Sequence, residues 1–356
     1  MSTSYDGQQY VGIDLHRCRS VLVRMTEDGE VLETTRISND PEYLRGVMSR
    51  AGDAPEVVLE ACYGWYWAAD TLAELGASVH LAHPLGVKGF AYRRVKNDER
   101  DAADLADLLR MGRLPEAWIA PPQCRELREL VRHRAKLVGL RTNLKCQIHA
   151  VLAGAGIAVA SSDIFAPSGR AWLERVNLPA AMRAKVNSAL RLIEACEFEI
   201  DTFGRLATAR LRADPGYRAI QQIPGVGPIL GAVFVAEIGD IGRFSRAAQL
   251  SSWAGLTPKH RQSDTKIHRG RITKMGSKLV RWAAIEAVQR VGPRTRLGAF
   301  RDAVAERRGR TARPQPGQGG RRPRARRVRV LRAARSPHPS AGGMIVATVT
   351  RSGRGS

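Results

Sequence analysis

Along residues 9–118, short runs of apolar positions alternate with stretches at helical spacing. Tyr10-Val-Gly-Ile-Asp-Leu-His16 reads as a strand that ends on an acidic position. Ser20–Met25 and Val31–Arg36 read as two more strands, joined at Glu27-Asp-Gly29, a good hairpin turn. Pro55–Glu60 reads as a fourth strand and Ser78–Ala82 as a fifth, with helical patterns at about 41–51, 64–76 and 99–112. Three antiparallel strands followed by alternating strand and helix predict an α/β domain with a mixed sheet.

The pattern changes over residues 123–212. Leu127, Leu130, Leu137, Leu140, Leu144 and Ile148 fall at helical spacing and predict one long helix, ended by Gly154-Ala-Gly156. A second helical stretch runs from about Ala180 to Arg212. Two such helices form a hairpin or coiled coil that either mediates oligomer contacts or belongs to a self-contained bundle. Residues 217–300 read as a compact, all-α module punctuated by Gly and Pro. From 301 to 356 the periodicity fades into Arg/Pro/Gly-rich sequence, expected to be disordered.

Charge sharpens this division. The 356 residues hold 57 Lys+Arg against 34 Asp+Glu, a net +23, which argues for a polyanionic partner. From Arg301 onward there are 15 Arg and two acids, so +13 lies there and +10 in the first 300 residues. The opening segment MSTSYDGQQY lacks the features of a secretory signal, and no apolar run reaches the ~20 residues of a membrane span. Five widely spaced cysteines without a CxxC fit reduced thiols. Together these features predict a cytoplasmic, nucleoid-associated protein.

Candidate chemistry begins with acids. Asp14 closes a hydrophobic-Gly-hydrophobic-Asp strand, and Glu60 ends the fourth strand. Asp98 and Asp101 sit at the start of a helix, spaced to point toward one spot. Carboxylates converging from several elements suit Mg²⁺ (or Mn²⁺). Singly, each has a plainer role as a turn or capping residue. Asp101 and Asp104 repeat the Asp98/Asp101 spacing, and geometry alone does not choose between the pairs.

Two further features suit phosphates. Ile223-Pro224-Gly225-Val-Gly227-Pro-Ile229 matches a helix-hairpin-helix turn, whose glycines let backbone N–H groups approach a phosphate; the plainer role is a turn between packed helices. Ser263 lies in a polar segment among Lys259, His260, Arg261, Lys266, His268 and Arg269, with Lys274 further on. Cations there would stabilise a phosphoryl transition state, although the residues alone favour an ordinary serine in a DNA-contacting loop.

Taken together, these motifs resemble the transposases of the insertion sequence 110 group, related to the Piv DNA invertase. The resemblance rests on Gly-Ile-Asp14, Glu60 and Lys96-Asn-Asp98-x-x-Asp101-Ala, near the family's K-T-D-x-x-D-A. It extends through Pro224-Gly-Val-Gly, Ala236-Glu-Ile-Gly-Asp240, Phe244, Leu250-x-x-Trp-Ala-Gly-Leu-x-Pro258, Gln262-Ser263 and Gly270-x-Ile-Thr-Lys-x-Gly276. Asn97 replaces the usual Thr, and Asp264 stands where the family commonly has Gly. The resemblance implies a RuvC-like domain whose Asp14, Glu60, Asp98 and Asp101 form a DEDD metal site, favouring Asp98 over Asp104. It also implies that Ser263 is a nucleophile forming a covalent phosphoserine with DNA, in a composite centre of a dimer or tetramer guided by a structured RNA. The alternatives are a metal-dependent, structure-specific nuclease and an inactive nucleic-acid-binding remnant. The family continues past Glu306 in a helix rich in Ala and Leu, whereas here the sequence has the composition of a shifted reading frame from about Arg310.

Overall fold

A computed structural model describes residues 5–90, 97–159, 163–264, 266–311, 332–334 and 344–346. It divides into two compact units, Met1–Ala120 and Pro121–Ser356. Lys96, and most of the stretch beyond Thr311, lie outside the described residues.

The first unit is a six-stranded mixed sheet in the order β3-β2-β1-β4-β5-β6, consistent with an RNase H-like domain. Its strands are β1 (Tyr10–Leu15), β2 (Arg19–Met25), β3 (Val31–Ser38), β4 (Glu56–Glu60), β5 (Ser78–Ala82) and the two-residue β6 (Glu116–Ala117). Strand β1 runs antiparallel to β2 and parallel to β4, and β4 runs parallel to β5. The helices are α1 (Pro41–Met48), α2 (Trp65–Glu74), α3 (Pro84–Val87) and α4 (Asp98–Arg110).

Strand alternation sorts the side chains. Val11, Ile13, Leu15, Val57 and Leu59 pack with Leu44 and Val47 of α1 and Ala68 and Leu72 of α2. The opposite face presents Val21, Val23 and Val58 to α4 through Ala102, Leu105 and Leu109. At Gly12 the backbone and α4 come so close that an added Cβ would lie 1.9 Å from the Ala102 carbonyl oxygen. The glycine therefore admits the helix at this depth.

The second unit is built on two long helices, α5 (Pro122–Gly154) and α7 (Ala180–Arg210), with α6 (Pro167–Arg175) between them in sequence. Ile148, Leu152, Leu173, Val186 and Ile193 form one core at α6. A second core joins Leu127, Val131 and Ala207 to α8 (Pro215–Gln221), α9 (Pro228–Ile238), α10 (Ala247–Trp253) and α11 (Lys278–Arg290). At its centre Glu237 is 4% exposed, pairs with Arg132 at 2.7 Å, and accepts a hydrogen bond from Ser277 Oγ at 2.9 Å. Arg128 donates to the Ala236 carbonyl at 2.8 Å, so α5, α9 and the start of α11 are clasped together.

Two expectations need correction. The module at 217–300 is not all-α: β7 (Pro258–Ser263) and β8 (Lys266–Ile272) form an antiparallel hairpin. Its strands are mostly polar, so the sequence carries no apolar alternation to reveal it. The stretch from 301 is not wholly unstructured either. Helix α12 spans Arg296–Thr311, and β9 (Arg332–Ala334) pairs with β10 (Met344–Val346). No helix among the described residues is long and apolar enough to cross a membrane.

Candidate functional site

Gly12 and Asp14 lie on the face of β1 that α4 covers, and His16 follows just past the end of the strand. Asp14 is 8% exposed, the deepest carboxylate of the group. In the parallel register Ile13 lies beside Leu59, so Glu60 occupies the neighbouring strand end on the same face as Asp14. Helix α4 brings in its N-terminus from the other side. Asn97, and not Asp98, caps it: the Asn97 Oδ1 accepts from the Glu99 N–H at 3.0 Å. Asp98 is thereby left to face the strands, and the first-turn acids Asp98, Glu99 and Asp101 complement the helix dipole.

The result is a tight group. His16 Nε2 lies 3.1 Å from Asp14 Oδ2 and 3.4 Å from Asp98 Oδ1, and one ligand atom from each residue fits within 4.8 Å of the others. Cys62 reports the charge nearby. Its thiol donates to the Leu15 carbonyl at 3.2 Å, and its pKa is pushed up by burial first, then by the negative charges of Glu60 and Asp14. Asp101 sits one turn beyond Asp98 and is half-buried; its N–H donates to the Asn97 carbonyl at 2.9 Å. Asp104 is exposed a further turn along. Of the sequence candidates, the structure brings Asp14 and Asp98 into one group, sets Glu60 beside Asp14, and leaves Asp101 and Asp104 outside the three-residue cluster.

His16 was not singled out from the sequence. The available signal was its place just past the end of the strand that carries Asp14. The donors present, carboxylate oxygens joined by an imidazole nitrogen around a buried Asp, fit a divalent cation.

The second candidate region is the β7–β8 hairpin. Ser263 pairs with Lys266 and Arg261 with His268, so these four residues share one face. Ser263, Arg261, Lys266 and His268 are all exposed, as is Lys259. Arg269 is in register with His260, and its side chain lies outside the described residues. Asp264, next to the serine, has φ 51°. This left-handed backbone is one that glycine adopts most readily and Asp more readily than most side chains. The hairpin's base is pinned by close backbone crossings. A Cβ on Gly255 (φ 67°) would lie 2.3 Å from the Met275 carbonyl oxygen, and one on Gly276 (φ 126°) 1.9 Å from that of Trp253. Lys274 between them is exposed, and its N–H donates to the Gly255 carbonyl at 3.0 Å.

The turn at Pro224–Gly227 joins α8 to α9. Gly225 (φ 90°) is needed for packing: an added Cβ would lie 2.1 Å from the Ala287 carbonyl oxygen in α11. Pro224 is exposed, while Gly227 begins α9 with nothing within 4 Å of an added Cβ. Of the two glycines, only Gly227 therefore has open space at the place where its Cβ would lie.

Two family models match the chain. Residues 11–157 match the DEDD transposase family of IS110, and residues 217–305 match the transposase IS116/IS110/IS902 family. The chain is 27% identical to the insertion element IS116 uncharacterized 44.8 kDa protein of Streptomyces clavuligerus, over 82% of this chain and 88% of that one. It is 27% identical to the transposase for insertion sequence element IS1111A of Coxiella burnetii, over 78% and 76% of the two chains. Against the putative transposase y4qE of Sinorhizobium fredii the identity is 26%, over 78% and 70%.

Proposed function

This chain belongs to the IS110 family of DNA transposases, and from that premise we propose that it breaks and rejoins DNA with two devices, a carboxylate site for a divalent cation and a serine nucleophile. In this reading Asp14, Glu60, Asp98 and Asp101 hold Mg²⁺ or Mn²⁺. When bound, the ion supplies Lewis-acid stabilisation of charge on phosphate oxygens. Asp14 is fixed by its strand, and Asp98 is free to join it because Asn97 takes the capping role.

Ser263 Oγ attacks a DNA phosphorus, forming a Ser–O–P bond as the P–O bond to one deoxyribose breaks and that sugar leaves as a hydroxyl. A second DNA hydroxyl then attacks the phosphoserine, restoring the serine and joining the new strands. Arg261, Lys266 and His268 on the same face offset the charge that develops on the phosphate. The observation that carries the proposal is this exposed serine at the tip of a rigidly based, cationic hairpin, in a chain that also gathers carboxylates at the end of β1.

The DNA, at element ends and target, is held in this reading by Pro224, Gly225, Gly227, Lys259, Arg261, Lys266, Arg269 and Lys274. Gly227, at the open N-terminus of α9, suits a phosphate better than Gly225, which faces α11. Such contacts grip the backbone without reading bases. A guide RNA would supply the sequence reading, and a dimer or tetramer would bring two DNA partners together.

We expect Ser263→Ala to abolish strand exchange on DNA carrying the element ends while DNA binding in a gel-shift assay persists, and Asp14→Asn to do the same. The carboxylate cluster by itself favours a second reading, a metal-dependent structure-specific nuclease. Under that reading Ser263→Ala leaves cleavage intact and only Asp14→Asn removes it.

A further inference from the structure

We propose that His16 is a nitrogen ligand of the divalent-cation site, so that the site prefers Mn²⁺ to Mg²⁺; this rests on the reading that Asp14 and Asp98 hold the ion. Three observations converge on His16. It directly follows Leu15, the last residue of β1, and its imidazole lies beside both the Asp14 and the Asp98 carboxylates. The turn that follows is pinned: the His16 N–H donates to the Arg19 carbonyl at 3.1 Å, and its own carbonyl accepts from Asn39 Nδ2 at 2.7 Å. Asn39 is in turn fixed by Ser20 Oγ at 2.6 Å and by the Cys18 carbonyl at 3.0 Å. The imidazole is therefore carried on an ordered turn even though its side chain is 42% exposed.

The spacing of the donors is the third observation. Two ligands on adjacent corners of an octahedron with bonds of ~2.1 Å are separated by about 3 Å. His16 Nε2 stands 3.1 Å from Asp14 Oδ2 and 3.4 Å from Asp98 Oδ1, close to two such edges sharing one nitrogen corner. The same nitrogen faces both carboxylates, so a cation between the two oxygens meets the imidazole as its third neighbour. An imidazole among carboxylates shifts selectivity away from Mg²⁺, which favours oxygen, and toward later first-row ions.

The test uses the full chain loaded with Mn²⁺ and read by pulsed electron paramagnetic resonance. The expected result is modulation from a directly bound ¹⁴N nucleus that changes when the protein is labelled with ¹⁵N-histidine and vanishes in His16→Gln. His16→Gln should still bind Mn²⁺, with the Mn²⁺-over-Mg²⁺ preference in competition titrations reduced about tenfold or more. Circular dichroism confirms that the variant is folded, and a second variant, His16→Asn, guards against a local effect of Gln. Mn²⁺ bound in a manner sensitive to Asp14→Asn but without nitrogen modulation would overturn the role of His16. Binding unaffected by Asp14→Asn, or no binding, would overturn the carboxylate site itself and the inference with it.

Discussion

Glu33 shows how much a single side chain can be shifted by its neighbours. Its carboxylate accepts from Arg50 Nη2 at 2.8 Å, from Arg24 Nη2 at 2.7 Å and from Thr35 Oγ1 at 2.8 Å. The Arg50 hydrogen bond, followed by those of Thr35 and Arg24, outweighs partial burial and lowers its pKa from about 4.5 to about 2. A depressed carboxylate stabilises the fold fully above its unfolded value near 4.5, and that stability is lost as the pH falls through about 2. Thermal melts of Glu33→Gln should therefore decline less steeply than wild type over this window; parallel curves would contradict the assignment. Asp264 makes the complementary point on the backbone. The residue after Ser263 has φ 51°, and Asp accepts that conformation more readily than most side chains.

At the scale of elements, the proposed metal site depends on how closely α4 lies on β1. Gly12→Ala would drive a methyl group into the Ala102 carbonyl and push the helix outward. We expect a loss of about 2 kcal/mol in denaturant unfolding, together with weaker Mn²⁺ binding, because Asp98 travels with the helix; unchanged affinity would show that α4 does not set the site. The elements around this contact could be read in the sequence because the helices carry apolar residues at helical spacing and the central strands are short apolar runs buried on both faces. Gly-Ile-Asp14 marks both the packing and the proposed chemistry. Other elements left no such trace. The β7–β8 strands, Pro258–Ser263 and Lys266–Ile272, are mostly polar without apolar alternation, β6 has two residues and α3 four, too short for any periodicity. His16 was missed for another reason: its importance lies in a neighbour 82 residues away, Asp98, which only the crossing of α4 brings within reach.

For the whole molecule, net charge is a poorer guide than the placement of charge. Eleven Arg and no acidic residue fall between 312 and 356, outside most of what the structure describes, and they account for much of the +23. In the proposed mechanism the cations that act on the phosphate are the few on the Ser263 face of the hairpin, in the second unit, while the carboxylates that would hold the ion lie in the first. The two parts of the proposed phosphoryl-transfer apparatus thus belong to separate units. The most direct test is to incubate the protein with Mn²⁺, guide RNA and element-end DNA, denature it, and map any covalent DNA–peptide adduct by mass spectrometry. The account predicts a phosphodiester to Ser263, absent in Ser263→Ala; DNA cleavage without an adduct, or an adduct that survives that substitution, would contradict it.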